Sequence, residues 1–250
     1  MKKIILLSII AFYISVNAFS QDQYIFPSGS GPNKLFMKEI IKLTGKTRPK
    51  ILFLPTASGD SERSIKRWND LVSDLSIESS VQGVWISSYS QKKSFEEILL
   101  NVDAIVVGGG NTLNMMAIWK AQGIDKVLKK ALEKGIVLAG GSAGSLCWFE
   151  NGTTDSRPIE LSVVEGLGFL PFSHSPHYDG EEFRRPLYQK NIKNGIFKAG
   201  YAMDNNACII FKNGKPFKIV SIDEKHNNYF VSLKNGVVVE EKLESIILKE

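Results

Sequence analysis

The sequence predicts an α/β fold: a mostly parallel sheet flanked by helices on both faces, with a β-rich antiparallel edge at its C-terminal end. Two observations carry this. Short, continuously apolar runs ("ILFLP", "AIVVGG", "IVLAGG") alternate with amphipathic stretches, as strands covered on both faces by crossover helices do. Past Pro158 the character changes, and two β-rich runs are each interrupted by Asn-Gly, the signal of antiparallel hairpins.

The first twenty residues, "MKKIILLSIIAFYISVNAFS", stand apart. Lys2 and Lys3 form a positive start, Ile4 to Val16 an apolar middle, and Ala18 and Ser20 the small positions of a cleavage site. The apolar part is shorter than the roughly 18 residues of a spanning helix. Residues 1–20 are therefore read as a secretory signal peptide and residues 21–250 as one domain, exported to the periplasm or beyond the cell. Cleavage after Ala18 and an uncleaved anchor are the alternatives. The leader takes two of the 31 basic residues, leaving 29 against 26 acidic ones, a net +3. That excess is spread out, so no nucleic-acid partner is expected. No lasting membrane insertion is expected once the leader is gone, and a homodimer is left open.

From Lys50 the elements follow in order. "KILFLPTAS" is a buried strand ending in a turn, and "DSERSIKRWNDLVSDL" a helix opened by Asp60 or Ser61, with Ile65, Trp68, Leu71, Val72 and Leu75 on one face. "VQGVWISSY" reads as a second strand, and "SFEEILLNV" as a short helix with Ser94 and Glu97 as a capping box. "DAIVVGGGNT" is the next strand. Helices follow from Leu113 to about Gln122 and from about Ile124 to Lys134, before the strand "GIVLAGG". Met115, Met116 and Trp119 fall at helical spacing and are expected in the core, as are Trp148 and Phe149.

Gly140-Gly141-Ser142-Ala143-Gly144 matches the G-x-S-x-G elbow, in which a serine sits on a strained turn from strand to helix and the flanking glycines avoid collision with neighbouring strands. Ala143 N–H would face a developing oxyanion. The second glycine run, Gly108 to Gly110, also ends a strand and leaves N–H groups uncovered on the same side of the sheet, where ligands bind. A serine nucleophile needs a base, and the base an orienting group. "FSHSPHYDG" offers His177 and, in competition, His174; His226 reads as a solvated loop residue. Asp155 lies between serine and histidine in the chain, with Asp204 and Asp179 as further candidates. Asn111 and Thr112 suit substrate contact or a helix N-cap equally, and Tyr178 suits a pocket wall or a loop filler. Cys147 and Cys208 specify no disulfide framework. Without CxxC or HExxH, and with three histidines in all, neither a metal nor an organic cofactor is expected.

"GGGNT" at 108–112, "GGSAGSLCWF" at 140–149, "GTTDS" at 152–156 and "SPHYD" at 175–179 resemble, in this order, the S51 serine peptidases. These include dipeptidase E-like and cyanophycinase-like enzymes and have a fold like class I glutamine amidotransferases. The resemblance covers roughly residues 48–212. It implies Ser142 as nucleophile, His177 as general base, Asp155 as the acidic third member, and N–H groups of Gly109 or Gly110 and Ala143 as oxyanion donors. It also implies a small peptide as substrate and an acyl-enzyme. The dipeptidase has an arginine shortly before its acidic residue. Here Glu150 or Asn151 stands in that stretch, and Arg157, Arg184 and Arg185 are the nearby cations. Hydrolysis of branched aspartyl peptides, an esterase or amidase on the same triad, and a silent binding domain are the rival readings.

Overall fold

The computed structural model describes residues 21–85 and 90–249, so the expected leader lies outside the described residues. Two elements come before the first expected strand: β1 (Tyr24–Ser28) and α1 (Lys34–Leu43), the latter capped by the Asn33 carboxamide. Pro27 and the glycine- and serine-rich stretch after it hide this strand in the sequence. Then follow β2 (Lys50–Leu54) and α2 (Glu62–Val72), whose first turn is capped by Ser61 Oγ at 3.2 Å from Ser64 N.

The second strand lies earlier than its apolar residues suggest. β3 is Glu78–Val81, paired with β2 from Lys50↔Glu78 to Phe53↔Val81. Beyond it the Asp60 carboxylate takes the N–H groups of Val84 and Trp85, and the Trp85 indole donates to Thr56 O. Those bonds turn "GVW" away from the sheet; residues 86–89 of that run lie outside the described residues.

α3 (Phe95–Leu99) carries the expected capping box of Ser94 and Glu97. β4 (Ala104–Val107), α4 (Thr112–Gln122), α5 (Ile124–Glu133) and β5 (Val137–Gly141) match their expectations within a residue or so. The helix after the elbow does not. α6 is a single turn, Ala143–Leu146, and Phe149 already opens β6 (Phe149–Thr154). Trp148 and Phe149 are nonetheless fully buried, as are Met115 and Trp119.

β7 (Ser162–Glu165), β8 (Leu170–Pro176), α7 (Arg184–Lys193) and β9 (Gly200–Met203) come next. The two Asn-Gly hairpins follow: β10 (Ala207–Lys212) with β11 (Lys215–Ser221), and β12 (Asn228–Lys234) with β13 (Val237–Leu243). In both turns Asn and Gly have positive φ (51° and 76° for Asn213 and Gly214), the conformation that follows strand twist. β14 (Ile246–Ile247) adds an edge beside β11.

These strands form two sheets. The first runs β14-β11-β10-β1-β5-β4-β2-β3, parallel from β1 to β3. The second runs β13-β12-β9-β8-β6-β7, with β6, β8 and β9 parallel. The hairpins therefore edge different sheets instead of one. Alternation along the strands sorts the core. Ile51, Phe53, Val106 and Ala139 face α1 and α2 with Phe36, Ile40 and Trp68. Leu52, Leu54, Ile105 and Leu138 face the other way, together with Phe211 of β10, into a core with α4, α5 and the inner face of the second sheet, including Phe149, Leu170 and Tyr201. α7 covers the outer face of that sheet through Tyr188 and Ile192.

The elbow is the tightest point. A Cβ on Gly141 would stand 1.8 Å from Ser30 O, and one on Gly144 2.2 Å from Val107 O. Both obstacles are backbone, so neither can move aside cheaply. Gly141→Ala is expected to lower unfolding free energy by about 3 kcal/mol or more. Gly31→Ala, with nothing within 4 Å of the new methyl, should stay within about 0.5 kcal/mol of wild type. Urea unfolding of the two variants checks this.

Candidate active site

Ser142 lies at the carboxyl end of β5 with φ 58° and ψ −121°, backbone angles that a side chain rarely tolerates. Its N–H donates to Ser28 O at 3.2 Å, and Ser145 N and Leu146 N return to its carbonyl at 3.0 Å. The strain is thus held from both sides, and the hydroxyl projects from the end of the sheet.

It meets His177, which follows β8 of the other sheet. Nε2 is 2.7 Å from Ser142 Oγ, and Nδ1 is 2.8 Å from Asn205 Oδ1. A carboxamide oxygen only accepts, so Nδ1 carries the proton and Nε2 is left to accept from the serine hydroxyl. His177 also has positive φ, 95°. Its N–H and that of Tyr178 both reach Met203 O, at 3.4 and 3.2 Å.

The hydrogen-bond partner of Nδ1 is therefore Asn205, on the link from β9 to β10, and not Asp155. Asp155 follows the last residue of β6 and is exposed; the hydrogen bond of Nδ1 goes elsewhere. Asp204, one residue before Asn205, is turned into the protein. Its Oδ2 takes the N–H of Asn227 at 2.8 Å, Oδ1 is buried without a hydrogen-bond partner, and burial raises its pKa. Asp179 accepts from Asn205 N–H at 2.8 Å and so braces the loop rather than the imidazole. Its other oxygen is 3.6 Å from His226 Nε2, whose Nδ1 is held by Asp223 at 2.8 Å.

His174, the competing histidine, is fully buried beneath the elbow, stacked on Phe149 at 4.4 Å. Nδ1–H donates to Tyr201 O at 2.9 Å, which leaves Nε2 facing Ser145 Oγ at 2.9 Å. Ser145 Oγ is also 2.8 Å from Ser142 O. The ring is a support for the elbow, neutral because burial holds its pKa down at about 3.

The glycine run stands opposite the serine. A Cβ on Gly109 would lie 3.1 Å from Ser142 Cβ. Among the described residues the N–H groups of Gly109, Gly110 and Ala143 have no hydrogen-bond acceptor. With α6 only one turn long, a helix dipole adds little there. Gly108 to Gly110, Ser142 and the inner side of α2 enclose a cavity of about 620 Å³.

The other residues singled out lie apart from this cavity. Asn111 caps α4 through Oδ1, 2.8 Å from Asn114 N, and ties down Ser156 O at 2.9 Å; Thr112 is buried beneath it. Tyr178 belongs to the core under α7, its hydroxyl 2.7 Å from Glu240, and burial raises its pKa. Arg157 reaches Ser162 and Val163 O. Cys147 and Cys208 are buried free thiols, and burial pushes both pKa values up.

The sequence model described as peptidase family S51 matches residues 26–219. The chain belongs to peptidase family S51. An uncharacterized peptidase, YgaJ, from Bacillus subtilis (strain 168) is 39% identical over 223 residues, 87% of this chain and 95% of that one. Peptidase E of Shewanella denitrificans is 29% identical over 56% of this chain and 58% of its own. The crystal structure of a peptidase from an acI-B1 Actinobacterium has the same fold, with a TM-score of 0.70 over 90% of this chain and 96% of that chain at 19% identity. As a member of family S51 the chain is a peptidase, a hydrolase of the serine type.

Protonating His174 would place an unpaired charge in the core of this S51 peptidase. Because its native pKa lies below the unfolded value of about 6.5, the stability it contributes is complete above that pH and lost as pH falls toward 3. Urea unfolding at pH 7.5 and 5 should therefore show wild type losing more stability than His174→Gln, by up to about 1.4 kcal/mol per pH unit below 6.5.

Proposed function

We propose that the chain is an exported serine peptidase that hydrolyses small peptides through Ser142, His177 and Asn205. The observation that carries this reading is the 2.7 Å contact of Ser142 Oγ with His177 Nε2, with Nδ1 held at 2.8 Å by a group that can only accept. Export rests on the leader over residues 1–20, and the peptidase domain is residues 21–250.

Ser142 Oγ attacks the peptide carbonyl carbon while its proton passes to His177 Nε2. The carbonyl oxygen gains the negative charge and is met by N–H groups of Gly109 or Gly110 and Ala143, which among the described residues have no other acceptor to release. As the C–N bond breaks, the imidazolium returns its proton to the leaving amine. Water then attacks the acyl-enzyme, giving its proton to Nε2, and collapse restores the Ser142 hydroxyl. Asn205 fixes the tautomer and the ring plane throughout. Being neutral, it does not stabilise the imidazolium by charge as a carboxylate would.

A fluorophosphonate probe should add its phosphonyl mass to wild type and not to Ser142→Ala, read by intact mass. Absence of labelling together with absence of dipeptide hydrolysis would leave the binding-domain reading. Asn205→Ala should lower kcat about ten- to a hundredfold, whereas Asp155→Ala should leave it within about twofold. The reverse ranking would return Asp155 to the site.

A further inference from the structure

The cavity beside Ser142 has a constructed wall opposite the glycine run. α2 contributes Ser64, Arg67, Trp68 and Leu71, and Phe53 of β2 lies behind them. Trp68 stacks on Phe53 with centroids 4.7 Å apart and planes 4° from parallel, and its indole N–H donates to Ser79 Oγ at 2.8 Å. The wall is therefore fixed. Arg67, the residue before Trp68, is exposed at the cavity, and among the described residues it makes no hydrogen bond or ion pair. Among the described residues no acidic side chain lines this cavity.

The arginines favoured by the sequence are all engaged elsewhere. Arg157 is tied to Ser162 and Val163 O. Arg184 is buried, with its guanidinium on Glu181 and Thr153 O. Arg185 lies over the rings of Tyr178 and Tyr229 and pairs with Glu240 at 3.2 Å. Among the described residues, Arg67 is the arginine that lines the Ser142 cavity, and it has no ion pair there.

We propose that Arg67 binds the free α-carboxylate of a short peptide whose C-terminal residue has an apolar side chain. The inference rests on Ser142 being the nucleophile. A guanidinium fork matches a carboxylate in two-point geometry. Leu71 and the Phe53–Trp68 pair beside it offer apolar contact, where an acidic side chain would lose water without gaining a partner. A carboxylate held at one end and a carbonyl held at Ser142 limit how much chain fits between them. The substrate class is thus a short peptide with a free, apolar C-terminus.

The test compares Ala-Leu, its C-terminal amide and Asp-Leu amide as substrates of wild type, Arg67→Gln and Arg67→Lys, with fluorophosphonate labelling of each protein alongside. Wild type is expected to prefer Ala-Leu to its amide by about tenfold or more in kcat/KM, the scale of a charged hydrogen bond. In Arg67→Gln that preference should vanish through KM, with kcat and labelling rate kept, and Arg67→Lys should restore part of it. An equal acid-to-amide ratio in wild type and Arg67→Gln, with labelling intact, would overturn the proposal. So would an Arg67-dependent preference for Asp-Leu amide, which would make the anchored group a side-chain carboxylate. Failure of every protein to label or hydrolyse would instead sink the nucleophile reading on which the proposal rests.

Discussion

The structure depends on one close approach. Between the end of β4 and the segment after β1 there is room for backbone but not for a methyl group, as the 1.8 and 2.2 Å separations at Gly141 and Gly144 measure. Only a chain that turns without side chains there can hold Ser142 at positive φ. Such strain costs on the order of 1–3 kcal/mol. It is sustained because β5 is buried between β1 and β4, and His174 and Ser145 close the space beneath.

The three site residues come from three different places in this scheme. Ser142 leaves the first sheet, His177 leaves the second, and Asn205 sits on the link that carries the chain from β9 of the second sheet to β10 of the first. Where the two sheets meet, Phe149, Tyr201 and Phe211 pack against one another, Tyr201 and Phe211 edge-on at 5.2 Å. The geometry of the site follows from that shared core as much as from the residues themselves.

Much of this was legible in the sequence because it rests on local rules. Apolar runs broken by amphipathic ones gave the parallel strands, Ser94 and Glu97 the capping box, and Asn-Gly the hairpins. Gly140 to Gly144 announced the elbow because sterics act over adjacent residues. What was not legible depends on register between distant segments. Asp155 fits by chain order, yet β6 delivers it to an exposed turn, while the β8–β9 pairing brings Asn205 to the imidazole. The Asp204 candidate missed by one residue, since consecutive residues leaving a strand point opposite ways. Nothing local in α2 singles out Arg67, the residue before Trp68, and only the fold brings it beside Ser142. The division into two sheets was equally hidden, because both are built from the same kinds of run.

A bond that joins two sheets reports on their spacing. In the proposed mechanism the 2.7 Å contact between Ser142 and His177 must be kept to within about 0.5 Å for proton transfer, whereas the strands on either side tolerate far more before they part. Loosening of the packing at Phe149, Tyr201 and Phe211 would thus be felt first as lost turnover, in a chain whose helices and sheets are still intact. If Ser142 and His177 act as proposed, their contact is a gauge of core rigidity, and activity would be lost over a narrower range of temperature or denaturant than the fold.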